Sequence, residues 1–95
     1  MYGVIRTRQF ERAFRKLRKS GHMSATLRNE IDAVVFKLAS KEVLSARFRD
    51  HGLTGELEKY RECHIRGDLL LVYEIKHDKL VLVLIDIGTH SEIFG

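Results

Sequence analysis

The chain has 95 residues, enough for a single domain spanning 1–95 with a modest core. It is 44% hydrophobic and 32% charged with a net charge of +4, and its longest apolar run, Leu80 to Ile85, is far too short to cross a membrane. One cysteine, Cys63, excludes an internal disulfide framework, and no apolar leader follows Met1, so a cytoplasmic protein with no membrane contact is expected.

Residues 2–7 read as a first short strand. Residues 8–19 read as a helix, because Phe10, Ala13, Phe14 and Leu17 recur at helical spacing. Arg8, Arg12, Arg15, Lys16, Arg18 and Lys19 cover the rest of its surface. Gly21 is a stop signal, and Ser24 is a candidate N-cap for a second helix. That helix carries Leu27, Ile31, Val34, Val35 and Leu38 on one side, so the two helices form a hairpin. Residues 1–49 carry 12 Lys/Arg against four Asp/Glu, a net of +8, and residues 50–95 carry five against nine, a net of −4. A basic half of this kind suits RNA, an acidic protein partner, or simply a solvated helix surface.

Residues 40–54 are polar and irregular. From Gly55 to Arg66 the pattern alternates, with Leu57, Cys63 and Ile65 apolar and Glu58, Tyr60, Glu62, His64 and Arg66 polar or amphipathic. That predicts a strand with one buried face, although Arg61 interrupts its apolar side. Residues 68–76 and 79–87 predict two more strands joined by a tight turn at His77-Asp78. Both are nearly continuous apolar runs, as expected of strands covered on both faces. The resulting order is β-α-α-β-β-β: an α+β fold, mostly antiparallel, with two helices packed on one face of the sheet.

Histidine moves protons near neutral pH, and there are five here. His22 and His77 fall in turns and read as surface residues. His51 lies in the loop before the second strand, His64 on that strand's polar side, and His90 beyond the last strand. Taken singly, His51 is an ordinary loop residue and His64 an ordinary solvent-facing one. Brought together by a sheet edge, they could run acid–base chemistry, with Asp68 orienting an imidazole or taking a proton. Cys63 falls on the apolar side and reads as core rather than nucleophile. His51, His64, Asp68 and His90 lack the spacing of a helical metal motif, so no metal is expected.

Four blocks carry a resemblance. Arg49-Asp50-His51-Gly52-Leu53-Thr54-Gly55 resembles the DHxLxG stretch of YafQ-like toxins. Tyr60-Arg61-Glu62-Cys63-His64-Ile65 and Asp68-Leu69-Leu70-Leu71-Val72-Tyr73 resemble two of their strands, and Gly88-Thr89-His90-Ser91-Glu92-Ile93-Phe94 resembles their terminal segment. The blocks fall in order over residues 49–95, while the N-terminal half agrees only in layout. The resemblance to this branch of the RelE/ParE superfamily implies a RelE-like fold with a twisted sheet. It implies a toxin of a type II toxin–antitoxin system that cleaves mRNA in the ribosomal A site.

The implied chemistry is attack of the RNA 2′-OH on the adjacent phosphorus, with loss of the 5′-oxygen and no metal or other cofactor. His51, His64, Asp68 and His90 match positions implicated in cleavage. Phe94 matches a terminal aromatic implicated in activity, Glu62 stands where relatives often have Asp, and Arg49 and Arg66 are candidate RNA-binding cations. The implied partners are the ribosome, mRNA and a cognate antitoxin encoded next door, with operator DNA reached only through the antitoxin complex. Two departures stand out: Asp86 where many relatives carry arginine, and Leu69 where they carry tryptophan. Asp86 keeps two other readings open, a ParE-like gyrase-inhibiting toxin that cuts nothing and a degenerate member that only binds antitoxin.

Overall fold

Side-chain caps start both long helices. The computed structural model describes residues 1–95, beginning with strand β1 (Gly3–Arg6) and helices α1 (Arg8–Lys19) and α2 (Ala25–Ala39). At α2 the expected cap forms: the Leu27 N–H donates to Ser24 Oγ at 3.0 Å. Thr7 does the same for α1, accepting from the Phe10 N–H at 3.1 Å. Its hydroxyl also donates to the Leu84 carbonyl at 2.9 Å, which ties the start of α1 to the sheet. Such caps stabilise by about 1 kcal/mol each. Gly21 sits at φ +84° just past α1, a conformation other residues adopt at a cost.

The remaining elements are β2 (His51–Gly52), β3 (Arg61–Arg66), β4 (Leu69–Lys76), β5 (Val81–Gly88) and the short helix α3 (His90–Phe94). The sheet order is β1-β5-β4-β3-β2. β1 runs parallel to β5, and every other pairing is antiparallel. The mostly antiparallel α+β arrangement is therefore as expected. Both long helices pack on one face. Phe10, Leu27, Ile31, Val34 and Leu38 meet Cys63, Ile65, Leu71, Tyr73, Leu82, Leu84 and Ile87 in one core. Burying an aliphatic side chain there contributes roughly 1.5–3 kcal/mol.

Three expectations need correction. The alternating segment does not pair from Gly55. Residues Gly55–Leu57 form a 3₁₀ turn, Gly55 lies at φ +66°, and the strand begins at Arg61. The Tyr60 carbonyl instead accepts from the Leu53 N–H at 3.0 Å and closes the loop on itself. The polar segment 40–54 contains the two-residue strand β2, and the chain after β5 turns into α3. The element order thus exceeds β-α-α-β-β-β by one strand and one helix.

Leu82 has no exposed surface and lies in the middle of β5. Leu82→Ala is expected to cost about 2–5 kcal/mol of unfolding free energy. Urea denaturation followed by circular dichroism measures it.

Candidate functional site on the open face of the sheet

Alternation along β3 divides its side chains between two environments. Cys63 and Ile65 enter the helix-covered core. Glu62 and His64 therefore point to the opposite face, which the 53–60 loop and α3 cover only in part. Pairing extends this face sideways: His51 of β2 stands opposite Glu62, Glu62 opposite Val72 of β4, and Val72 opposite Asp86 of β5. A cross-strand row His51–Glu62–Val72–Asp86 results, with His64 in the next row, opposite Leu70.

The His51 ring is held at both nitrogens. Nδ1 lies 2.7 Å from the Arg49 carbonyl. A carbonyl only accepts, so Nδ1 carries a proton. Nε2 faces the Glu62 carboxylate at 3.8 Å. Glu62 is the one buried charged residue, so this side chain is fixed by its surroundings. The backbone makes the geometry possible, because Arg49 adopts the left-handed conformation at φ 48° and turns its carbonyl back toward the ring.

Beneath that loop lies a polar cluster. The Tyr73 hydroxyl donates to Asp50, and the Arg61 guanidinium reaches Asp50 at 3.4 Å and the Tyr73 oxygen at 3.4 Å. Burial and then the bond to Asp50 push the Tyr73 hydroxyl well above its ordinary value, so it stays protonated. The bond to Tyr73, and then the Asp50 charge, hold Arg61 more basic than usual. This cluster explains why Arg61 interrupts the apolar side of β3: it faces the helix side but ends in an ion pair.

His64, Asp68, Arg49 and Arg66 border one concave pocket of about 430 Å³ together with Arg47. His64 Nδ1 lies 3.2 Å from the Gly67 carbonyl, so it too carries a proton and Nε2 is left free. Arg66 is committed elsewhere, since a bulge after His64 turns it to Glu30 of α2. Arg47 and Arg49 are in no ion pair. Arg47 lies over the Phe48 ring at 4.3 Å.

His90 and Phe94 form a third group on α3, their rings 5.0 Å apart. A capping box starts this helix: Thr89 Oγ1 accepts from the Glu92 N–H at 3.2 Å, and Glu92 accepts from the Thr89 N–H at 2.8 Å. The Thr89-His90-Ser91-Glu92 spacing in the sequence is its signal. Asp86 is held by two donors, the Gln9 side-chain amide at 2.8 Å and the Ile87 N–H at 2.8 Å.

The expected site residues therefore lie in three neighbouring groups: His51 with Glu62; His64, Asp68, Arg49 and Arg66 around one pocket; and His90 with Phe94. No three His, Cys, Asp or Glu side chains stand placed to hold a metal ion. Cys63 is fully buried, and burial, then the Asp50 and Glu62 charges, push its thiol up to about 12, which suits a core residue. Sequence reasoning missed Arg47, Asp50, Arg61 and Tyr73, whose roles depend on contacts across strands. His77 is exposed, as read, and its Nδ1 lies 3.2 Å from the Tyr2 hydroxyl.

Residues 2–95 match the family described as the bacterial toxin of type II toxin–antitoxin systems, YafQ. The mRNA interferase toxin YafQ of Escherichia coli K12 is 40% identical over 52 residues, 55% of this chain and 54% of that protein. A curated relative from Haemophilus influenzae is 46% identical over 37 residues, 36% of its length, so the matches span about half or less of these relatives. A metal-bound toxin from Helicobacter pylori superposes with a TM-score of 0.86 at 37% identity, covering 99% of this chain and all of that one. The toxin of the E. coli DinJ–YafQ complex superposes over the full length of both chains with a TM-score of 0.84 at 24% identity, a likeness of fold.

The Glu92 carboxyl sits below its usual 4.5 because it accepts hydrogen bonds from the Thr89 backbone and side chain. A group depressed in the folded state stabilises above its unfolded value and stops doing so as pH falls through the folded one. Acidification below about 4.5 is therefore expected to fray α3 and separate His90 from Phe94. Amide exchange of residues 90–94 by NMR measures this, and Glu92→Gln should flatten the response.

Proposed function

Because the chain belongs to the YafQ family of type II toxins, we propose that it is a ribosome-dependent endoribonuclease that cleaves mRNA in the ribosomal A site. The observation that carries this reading is the pair of oriented imidazoles, His51 and His64, on one open face beside unpaired arginines. The name of the E. coli relative, an mRNA interferase, supports the same substrate.

Cleavage by 2′-OH attack needs a base, an acid and a counter-charge for the phosphorane. His64 suits the base: its Nδ1–H is held by the Gly67 carbonyl, which leaves the Nε2 lone pair free to take the 2′-OH proton. His51 suits the acid: protonated at both nitrogens, it is matched by the Arg49 carbonyl and the Glu62 carboxylate, and Nε2–H can protonate the leaving 5′-oxygen. Arg47 and Arg49 supply positive charge. Arg66, paired with Glu30, anchors the pocket wall instead. Asp68 borders the His64 pocket and adjusts its field. His90 stands near the scissile phosphate, and Phe94 offers a ring for base stacking. Asp86 cannot replace the arginine of relatives, so the cation comes from the 47–49 turn.

These proton transfers need no metal, so the proposed enzyme works without a cofactor, and the location proposed for it is the cytoplasm. The Helicobacter relative is a metal-bound toxin, so the point is open to test. A chelator selective for transition metals, used with Mg²⁺ retained for the ribosome, is expected to leave cleavage unchanged.

The second half of the proposal is a cognate antitoxin, supported by the DinJ–YafQ complexes. α1 presents an exposed row of Arg8, Arg12, Arg15 and Arg18. Beside it, a hollow of about 250 Å³ lies between α1, α2 and β1, with Val4 43% and Phe36 60% exposed at its rim. An acidic segment with apolar anchors, folding as it binds, fits that surface. Operator DNA would be reached through the antitoxin.

Primer extension on mRNA from a translating extract tests the enzyme. His51→Ala or His64→Ala should each lower cleavage by roughly 10²–10⁴-fold with the fold retained, and His90→Ala should also lower it. Cutting at the wild-type rate by all three variants would overturn the assignment. Intact mRNA with DNA-damage signalling would favour the gyrase-binding reading, and intact mRNA without growth arrest the degenerate one.

A further inference from the structure

A second hollow opens on the same face, between the 3₁₀ turn after β2 and α3. It holds about 200 Å³, below the roughly 300–1,000 Å³ of clefts that take drug-sized ligands. Leu57, Tyr60, Ile93 and Phe94 make its sides, and Leu57 and Phe94 remain 40% and 36% exposed. Apart from these, Gln9 and Asp86 contribute a bonded polar pair.

Asp86 is the unusual element. An aspartate facing RNA repels phosphate, and no cation pairs with it. Its two oxygens are each fixed by one donor, Ile87 N–H on Oδ1 and Gln9 Nε2–H on Oδ2. Each keeps further lone-pair capacity, and an ionised carboxylate only accepts. The carboxylate is thus preorganised to meet hydrogen-bond donors inside an apolar, aromatic-walled slot.

We propose that this slot binds one nucleobase of the substrate RNA, and that Asp86 with Gln9 selects for a base rich in donors, guanine before adenine or cytosine and uracil last. Guanine presents adjacent N1–H and N2–H donors that match two carboxylate oxygens, and its O6 meets the remaining Gln9 N–H. Adenine and cytosine offer one amino group, and uracil one imino N–H. Tyr60 and Phe94 provide stacking surfaces, as single-stranded bases require. Both rings line the hollow, with Lys59 5.1 Å over the Tyr60 ring and His90 5.0 Å from Phe94.

The proposal rests on the endoribonuclease reading for its substrate. Register ties the two together: Asp86 lies two strands from Glu62 in the row that ends at His51, about 10 Å across the sheet from Glu62. The base read is that of a nucleotide close to the cut bond.

The test is cleavage by the full chain in a translating extract, over a reporter library with all four bases at the positions flanking each cut. Wild type is expected to favour guanine over uracil at one flanking position by roughly tenfold, the scale of a good bidentate base contact. Asp86→Asn should lose most of that preference while still cutting. A wild type indifferent to the flanking base, or an Asn variant with the preference intact, overturns the proposal. If wild type cuts nothing, the endoribonuclease reading fails and a second measurement decides the slot. Guanosine monophosphate and uridine monophosphate are titrated into labelled protein by NMR. Shifts at Tyr60, Asp86 and Phe94 at lower concentrations of the guanosine compound uphold base selection, and equal or absent shifts remove it.

Discussion

The open face depends on the register of β3 against β4. With Arg61 opposite Tyr73 and Cys63 opposite Leu71, the apolar side of β3 enters the core and Glu62 and His64 face outward. A slip of one residue would bury His64 and expose Cys63 and Ile65, at several kcal/mol in lost burial and stranded polar groups. Packing energy thus sets the position of groups that do no packing themselves. The row reaches β5 through a register shift between Val72 and Tyr73, which sets Asp86 rather than Ile85 opposite Val72.

Register alone does not place His51, because β2 is only two residues long. The Asp50–Arg61–Tyr73 cluster does that. Tyr73 is almost fully buried and belongs to the core, so its hydroxyl is a fixed point inside the protein. Asp50 bonds it, and His51 follows in the chain. Arg61 balances the Asp50 charge and stays partly in solvent, which keeps the desolvation cost of the pair low. A loop of mostly polar residues is thereby anchored to a rigid strand.

The sequence revealed the fold where local chemistry decides it. Phe10, Phe14 and Leu17 with their flanking arginines marked α1, and Ser24 marked the start of α2. The long apolar runs marked β4 and β5. Recurrence of four short blocks then pointed to His51, His64, Asp68 and His90 together. The failures share one cause. Leu57 continued an alternating pattern, yet Gly55 turns the chain, and the Leu53–Tyr60 backbone bond that closes the loop is invisible in a pattern of side chains. Arg61 looked like an error in a strand because its partners, Asp50 and Tyr73, are 11 and 12 residues away. Arg66 looked like a free cation because Glu30, which pairs with it, lies on another element. Only α3 was within reach, through the Thr89–Glu92 capping box.

The parallel pairing of β1 with β5 bears on how the molecule assembles. Gly3 aligns with Val81 and Arg6 with Leu84, so the first strand made waits for the last strand made. Helices α1 and α2 can form early, but they have no sheet to cover until β5 exists. β5 is also the strand between β1 and β4, so the five-stranded sheet cannot close as a partial structure. Contacts of such long sequence separation make folding slow relative to helical domains of the same size. During synthesis the chain therefore passes most of its length without the face that carries His51, His64 and Asp86 in alignment. That face is completed only once the last strand has been made and paired on both of its edges.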